Sequence, residues 1–499
     1  MKYIKHSLLT LLLSIFSLPT FAGPWIEVGD TWLRSDIEYL SDTGVITVPI
    51  TTWPLMWSGI KRDLDSAMES AEFNKLSNQQ QDALIRLKKE FRKQTSSSAS
   101  VGVSLASDPE LIRGFSNSPR EESSAFVQNQ AMGDVWAYNV KLEYAYNPYI
   151  AAGQTSDEVR YDGSYITTIF DNFALGYGWI DKWWGPGWDS SLILTNNARP
   201  SPGLFFTRNY STPFESDWLS WIGPWTFQAF ANVLDDERHI NDAKFLGLSL
   251  SFKPLDSLEI GLRRTAQWGG DGRPESLSSF IDMFFGRDNC GSGGIDACGS
   301  SDSNEPGNQL AAVDIRWRLP IDYPVSLYTQ MMGEDESNYQ PSRTSHQYGI
   351  SFHQAVFDYP MQLTVEYSDT RTHSSSLGLV YNLAYNHTIY RTGYRYLGRT
   401  IGASTDNDTE IVTIAANVRL DTQQSLNILF RDIRMNLDGL REHSISLQKK
   451  ELTEFVVNYQ RQMKLGELKV HLGQYSDIID SYNRQDSETR LGATFKTIF

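Results

Sequence analysis

The sequence predicts an all-β fold: a transmembrane antiparallel β-barrel behind a small N-terminal α-helical bundle. Three observations predict it. From residue 98 onward, apolar and polar residues alternate with a period of two in many separate runs. Of the 499 residues, 40% are apolar and 21% charged, with a mean hydropathy of −0.38, yet 12% are aromatic and 36 are glycine. That combination suits strands with one face in lipid and one in water, ringed by Trp and Tyr at the interfaces. Finally, beyond residue 22 no run of about 20 apolar residues offers a helical span.

The first 22 residues read as a secretory signal peptide. Lys2 and Lys5 precede an apolar core from Leu8 to Leu18, and Thr20-Phe21-Ala22 places small residues at the −3 and −1 positions. Cleavage is expected after Ala22, taking the net charge from −16 to −18. An acidic chain of this kind is not expected to bind nucleic acid, which needs a cationic surface.

Residues 23–97 read as a periplasmic helical bundle that serves as a plug. Asp30 can cap a helix carrying Leu33, Ile37 and Leu40 on one face, with Gly44 beyond its end. Thr51–Leu55 is extended. Ile60, Leu64, Met68 and Ala71 recur at helical spacing. Ser77 and Gln80 form a capping box ahead of Leu84, Leu87 and Phe91.

Residues 98–499 read as the barrel. Trp136, Tyr138, Val140, Leu142, Tyr144 and Tyr146 alternate with polar Asn139, Lys141 and Glu143. Ten residue steps at about 3.3 Å and about 40° of tilt cover about 25 Å of membrane. Similar stripes run through Phe173–Trp179, Leu246–Phe252, Val313–Leu319, Met361–Tyr367, Phe455–Tyr459 and Leu468–Leu472. A soluble sandwich also alternates, but it would not bury full charges such as Arg316 and Arg318 unpaired on its packed face. The terminal run Leu491, Ala493, Phe495, Thr497, Phe499 resembles the strand signal read by the barrel assembly machinery. About 400 residues at roughly 20–24 per strand and turn give about 16–20 strands. Trp218, Trp221 and Trp225 read as an interfacial girdle against outer-membrane lipid.

Gly269–Asn308 reads as a long irregular loop. It holds Cys290 and Cys298, which can close a small disulfide in an oxidising compartment. Asp288, Asp296, Asp302 and Glu305 read as solvated charges, since no regular oxygen-ligand spacing appears. No metal site or cofactor is expected.

Two stretches carry a resemblance. One is Gly29-Asp30-Thr31-Trp32-Leu33-Arg34-Ser35-Asp36-Ile37 through Asp42-Thr43-Gly44-Val45-Ile46, with Thr51-Thr52-Trp53-Pro54. The other is Asp181-Lys182-Trp183-Trp184-Gly185-Pro186-Gly187-Trp188-Asp189, followed by Ser191-Leu192-Ile193-Leu194-Thr195-Asn196-Asn197-Ala198-Arg199-Pro200. Together they resemble the Wzi family of capsule-assembly outer-membrane proteins, over essentially the whole chain. The resemblance implies an 18-stranded barrel with a periplasmic helical bundle. It also implies a lectin-like role in which exported capsular or extracellular polysaccharide is held at the cell surface.

Glycan binding needs aromatic faces for sugar C–H groups and carboxylates, amides or Arg for hydroxyls. Asp181, Trp183, Trp184, Trp188, Asp189, Asn196, Asn197 and Arg199 provide that set, either as sugar contacts or as packing around the Gly-Pro-Gly turn. Arg316, Arg318, Arg391, Arg395 and Arg399 either attract an acidic polymer or pair with lumen carboxylates. Neither G-x-S-x-G nor H-E-x-x-H occurs, and the eight histidines are scattered, so an enzyme is not expected. A monomeric outer-membrane lectin is the expectation, with a sugar-uptake porin as the alternative.

Overall fold

The computed structural model describes residues 23–71, 73–148, 158–284, 307–337, 340–374, 377–440, 443–478 and 485–499. The leader, Cys290, Cys298 and the acidic residues near them lie outside the described residues.

Twenty strand segments close into one barrel. Val159–Arg160 and Tyr165–Phe170 both pair along Trp136–Pro148, while Gly378–Val380 and Glu410–Arg419 both pair along Tyr359–Ser374. The wall therefore has 18 strands. Gln485–Ile498 closes it against Ser98–Ala106, with Gly492 opposite Ala106.

The wall is inside-out relative to a soluble protein. On Trp136–Pro148, Val140, Leu142, Tyr144 and Tyr146 are exposed, whereas Asn139 and Glu143 are buried. On Gly307–Arg318, Val313, Ile315 and Trp317 face out, whereas Asp314 and Arg316 are buried. Apolar side chains outside and charges inside are stable when the surroundings are lipid and closure leaves no sheet edge. Among the described residues no helix is long and apolar enough to cross a membrane.

One end of the barrel carries short connections, such as 171–172, 256–257, 357–358 and 464–465. The other carries long ones, including 107–120, 179–202, 381–409 and 436–449. At the short-turn end sit α1 (Thr31–Asp42), α2 (Trp57–Glu69) and α3 (Asn78–Gln94). The Asp30 carboxylate accepts from the Trp32 and Leu33 amides at 3.0 Å, capping α1. Ser77 and Gln80 form the expected capping box on α3. Leu33, Ile37, Leu40, Ile60, Leu64, Ala83, Leu84 and Leu87 share one apolar cluster with Phe115 and Trp183. Ala71, assigned to the α2 face by spacing, is exposed outside the helix, because Ser70 turns extended and ends it.

The 269–306 connection is not wholly irregular. It contains α4 (Leu277–Phe284), whose Phe280 packs edge-on against Trp268 at 5.6 Å. Its eight residues are too short for a periodic signal amid Ser and Gly.

α1 is buried on nearly every side and enters the barrel mouth. Asp42 meets wall residue Arg316 at 2.6 Å, and Glu38 accepts from Gln362 at 2.7 Å. Asp36 bonds both Arg86 of α3, at 2.7 Å, and Arg419 of the wall, at 3.2 Å.

Candidate functional site

The connection after Phe173–Gly178 folds into the lumen. A buried irregular backbone needs hydrogen-bond partners, and the neighbouring elements supply them. Trp183–Trp184 pairs antiparallel with Thr52–Trp53, so the two stretches that carry the family resemblance touch each other. Gln330 donates to the Trp184 carbonyl at 2.9 Å and accepts from the Leu192 amide at 2.7 Å. Gln347 donates to the Ser190 carbonyl at 2.9 Å. Glu366 accepts from the Trp188 and Ser190 amides at 2.6 and 2.8 Å.

The Gly-Pro-Gly turn is gripped from the helical side. Arg34 of α1, 2% exposed, donates to the Pro186 and Gly187 carbonyls at 3.1 and 2.8 Å. Its guanidinium lies over Phe115 and Trp188, 4.5 and 4.7 Å from the ring centres. A Cβ on Gly187 would stand 2.0 Å from the Ser190 carbonyl oxygen, so only glycine fits.

The eight candidate residues have different surroundings. Trp183 and Trp184 are fully buried; their indoles donate to the Gly187 carbonyl and to Gln228, at 3.1 and 3.0 Å. Trp188 is buried under Arg34. All three indoles are packed against protein. Asp189 is locked to Arg431 at 2.6 Å and accepts from Thr413 at 2.9 Å. The Asn196 amide donates to the Phe115 carbonyl, and that of Asn197 to the Thr400 carbonyl. Arg199 forks onto Asp162 at 2.9 and 3.0 Å. Asp181 is the least committed: its side chain keeps 25% of its surface, and Arg120 lies 3.5 Å away. Burial raises its pKa, and burial lowers that of neighbouring Lys182 to about 8.

In a second inward segment, 381–409, the sequence singles out only Arg391, Arg395 and Arg399. Tyr385 and Tyr394, both fully buried, donate to the Leu192 and Ile193 carbonyls at 2.6 and 2.8 Å. Ser404-Thr405-Asp406-Asn407-Asp408-Thr409 is polar throughout and buried throughout. Such a run reads as an exposed loop; only its partners, such as Arg395 on Asp406 at 2.8 Å, explain its burial. Arg316 and Arg395 thus pair with lumen carboxylates.

Between the wall and the N-terminal stretch Gly23–Asp30, with Ile180 and Asp181 at its border, a cavity of about 380 Å³ remains. It follows the inner face of Ser98–Ala106, Glu121–Met132 and Trp136–Pro148. Ser104, Ser124, Gln128 and Asn139 line it with Arg113, Arg120 and Asp181. Arg113 and Arg120 were absent from the sequence reading, since two isolated loop arginines form no motif.

The family model for capsule assembly protein Wzi matches residues 92–490. The chain belongs to the Wzi family. A 55.8 kDa uncharacterized protein in the cps region of Klebsiella pneumoniae is 34% identical over 366 residues, 73% of this chain and 69% of that one. A solved structure of Wzi from Escherichia coli, an outer-membrane protein involved in group 1 capsule assembly and a carbohydrate-binding β-barrel, is 27% identical. It matches with a TM-score of 0.81 over 95% of this chain and 99% of that one. As a Wzi-family member, this protein is an outer-membrane β-barrel of capsule assembly, and its family is not a family of enzymes.

Proposed function

We propose that this Wzi-family barrel is a non-enzymatic lectin that binds exported capsular or extracellular polysaccharide and attaches it to the cell surface. The observation that carries the reading is a lumen filled by two long, inward-folded connections bonded to the wall, with a polar cavity left between the wall and the N-terminal stretch. A filled lumen with polar recesses suits holding a polymer, whereas a sugar-uptake porin needs an open bore. The carbohydrate binding of the Escherichia coli relative supports the same reading.

Barrels of this class place short turns in the periplasm and long loops outside. On that rule the helical bundle of residues 23–97 faces the periplasm, and 179–202 and 381–409 descend from the cell exterior. Leader cleavage after Ala22, delivery by the barrel assembly machinery, a monomer in lipid, and a Cys290–Cys298 bridge belong to this reading. Alkylation without reductant followed by mass spectrometry tests the bridge; two free thiols refute it.

Polymer retention tests the function. A strain lacking the protein is expected to shed its polysaccharide into the medium, with cell-bound polymer restored by the wild-type gene. Unchanged retention in that strain refutes the lectin reading.

A further inference from the structure

The helix α4 lies outside the barrel, against its wall. On the strand Leu258–Trp268 the inward row is Glu259, Arg263, Thr265 and Gln267, all buried, so Arg264 and Trp268 belong to the outward row. α4 docks on that outward row. Phe280 packs on Trp268. Arg264 donates to the Met283 and Phe284 carbonyls at 3.1 and 2.7 Å, a cation at the helix C-terminus. Met283 is buried beside Gly307, which pairs with Trp268 in the wall. Ser276 caps the other end, its hydroxyl accepting from the Ser279 amide at 3.1 Å.

At about 100° per residue the helix divides into stripes. Phe280 and Met283 meet the wall. Ser278 and Ser279 form a polar stripe. Leu277, Ile281 and Phe284 fall within about 60° of one another on the helical wheel. They are 74%, 42% and 40% exposed. Three large apolar side chains on one stripe of a docked, capped helix are costly in water.

The helix also sits where the lipid-facing belt of the wall ends. Leu258, Ile260 and Leu262 climb the outward row, opposite Trp317, Ile315 and Val313. Above them come Arg264 and Gln309, bonded at 3.0 Å. Since Arg264 holds the C-terminal carbonyls of α4, the exposed stripe continues the apolar belt. A helix with one side on the wall, a polar stripe and an apolar stripe is suited to the plane of an interface, its apolar side about 5–10 Å into the headgroup and acyl boundary.

We propose that α4 is an interfacial helix whose Leu277, Ile281 and Phe284 enter the lipid layer and fasten the 269–306 connection to the membrane beside the barrel. The occupant of the stripe is lipid acyl chain, because the stripe is continuous with the lipid-facing row of the wall. With the long connections outside, the layer is the outer leaflet.

The test places single nitroxide labels on the full-length mature barrel in phosphatidylcholine vesicles, in a Cys290→Ser, Cys298→Ser background. Labels follow Leu277→Cys, Ile281→Cys, Phe284→Cys and, on the polar stripe, Ser278→Cys. Electron paramagnetic resonance reads their accessibility to oxygen, which concentrates among acyl chains, and to a water-soluble nickel chelate. The oxygen-to-nickel ratio is expected to be at least threefold higher at 277, 281 and 284 than at 278. Adding Ile281→Asp is expected to raise nickel accessibility at 284 at least threefold, because a carboxylate withdraws the stripe from lipid. Heat-modifiable gel mobility confirms that each variant is folded. Equal ratios at all four positions overturn the proposal, as does nickel accessibility at 284 unmoved by Ile281→Asp. Dipolar broadening between labels at 281 would seat a second copy of the chain on the stripe and overturn the lipid assignment.

Discussion

Arg431 of the barrel wall holds Asp189 of the inward-folded connection through two parallel contacts of 2.7 and 2.6 Å, across 242 residues of sequence. The same guanidinium reaches Glu454 at 2.6 Å. All three side chains are buried. Removing Asp189 takes two charge-assisted hydrogen bonds from Arg431, each worth about 1.5–3 kcal/mol, and leaves it paired with Glu454 alone. Asp189→Ala is therefore expected to lower the unfolding midpoint in detergent and the yield of heat-modifiable barrel. An unchanged midpoint would mean that the pair does not anchor the connection.

Trp184 separates packing from sugar contact. Its ring is fully buried, 5.3 Å from Phe230, and its indole nitrogen is bonded to Gln228. Trp184→Ala opens a large cavity and is expected to cost about 3–5 kcal/mol. Polymer retention should then fall only in proportion to the amount of folded barrel at the surface. Normal folded yield with retention lost would place the indole against glycan after all.

Acid should weaken the docking of α1. Burial raises the Asp42 pKa, but the Arg316 charge, the nearby His353 ring at 3.5 Å and a bond from Ser326 outweigh it, leaving the carboxyl at about 2. An unfolded Asp titrates near 3.9. A depressed acid stabilises the fold above its unfolded pKa, and that contribution is lost as pH falls from about 4 to about 2. Its size is about 2.6 kcal/mol. Denaturant midpoints at pH 6, 4 and 2.5 measure the loss, and Asp42→Asn should flatten the profile in that window. An equally steep profile in Asp42→Asn would assign the acid sensitivity elsewhere.

Local rules made part of this legible in the sequence. Val140, Leu142 and Tyr144 announce a lipid face because each must be apolar whatever its neighbours are. Asp30 and the Ser77–Gln80 box announce helix starts because their partners lie within three residues. The lumen filling is set by distant partners: Asp189 needs Arg431, Asn197 needs Thr400, and Tyr394 needs Ile193. No spacing rule reaches across about 200 residues. Trp183 and Trp184 left two readings open because an indole that packs and one that stacks look the same in sequence.

The state of the bore distinguishes a holder of polymer from a conduit. Empty barrels of 16–18 strands carry an aqueous channel. Here Tyr385 and Tyr394 tie the 381–409 segment to Leu192 and Ile193, and Glu334 accepts from the Tyr385 amide at 2.6 Å. Each hydrogen bond contributes about 1 kcal/mol, while burial of both rings adds more. Wild-type protein in a planar bilayer is therefore expected to show no steady large conductance. Replacing residues 382–407 with a short Gly-Ser connector removes one of the two fillings and should produce long-lived openings, provided the variant keeps heat-modifiable mobility. The double change Tyr385→Phe, Tyr394→Phe loses only the two hydroxyl bonds and should give brief, infrequent openings. Steady conductance from the wild type would favour the sugar-uptake porin. A silent but folded 382–407 variant would mean that 179–202 and the helices close the bore without the second segment.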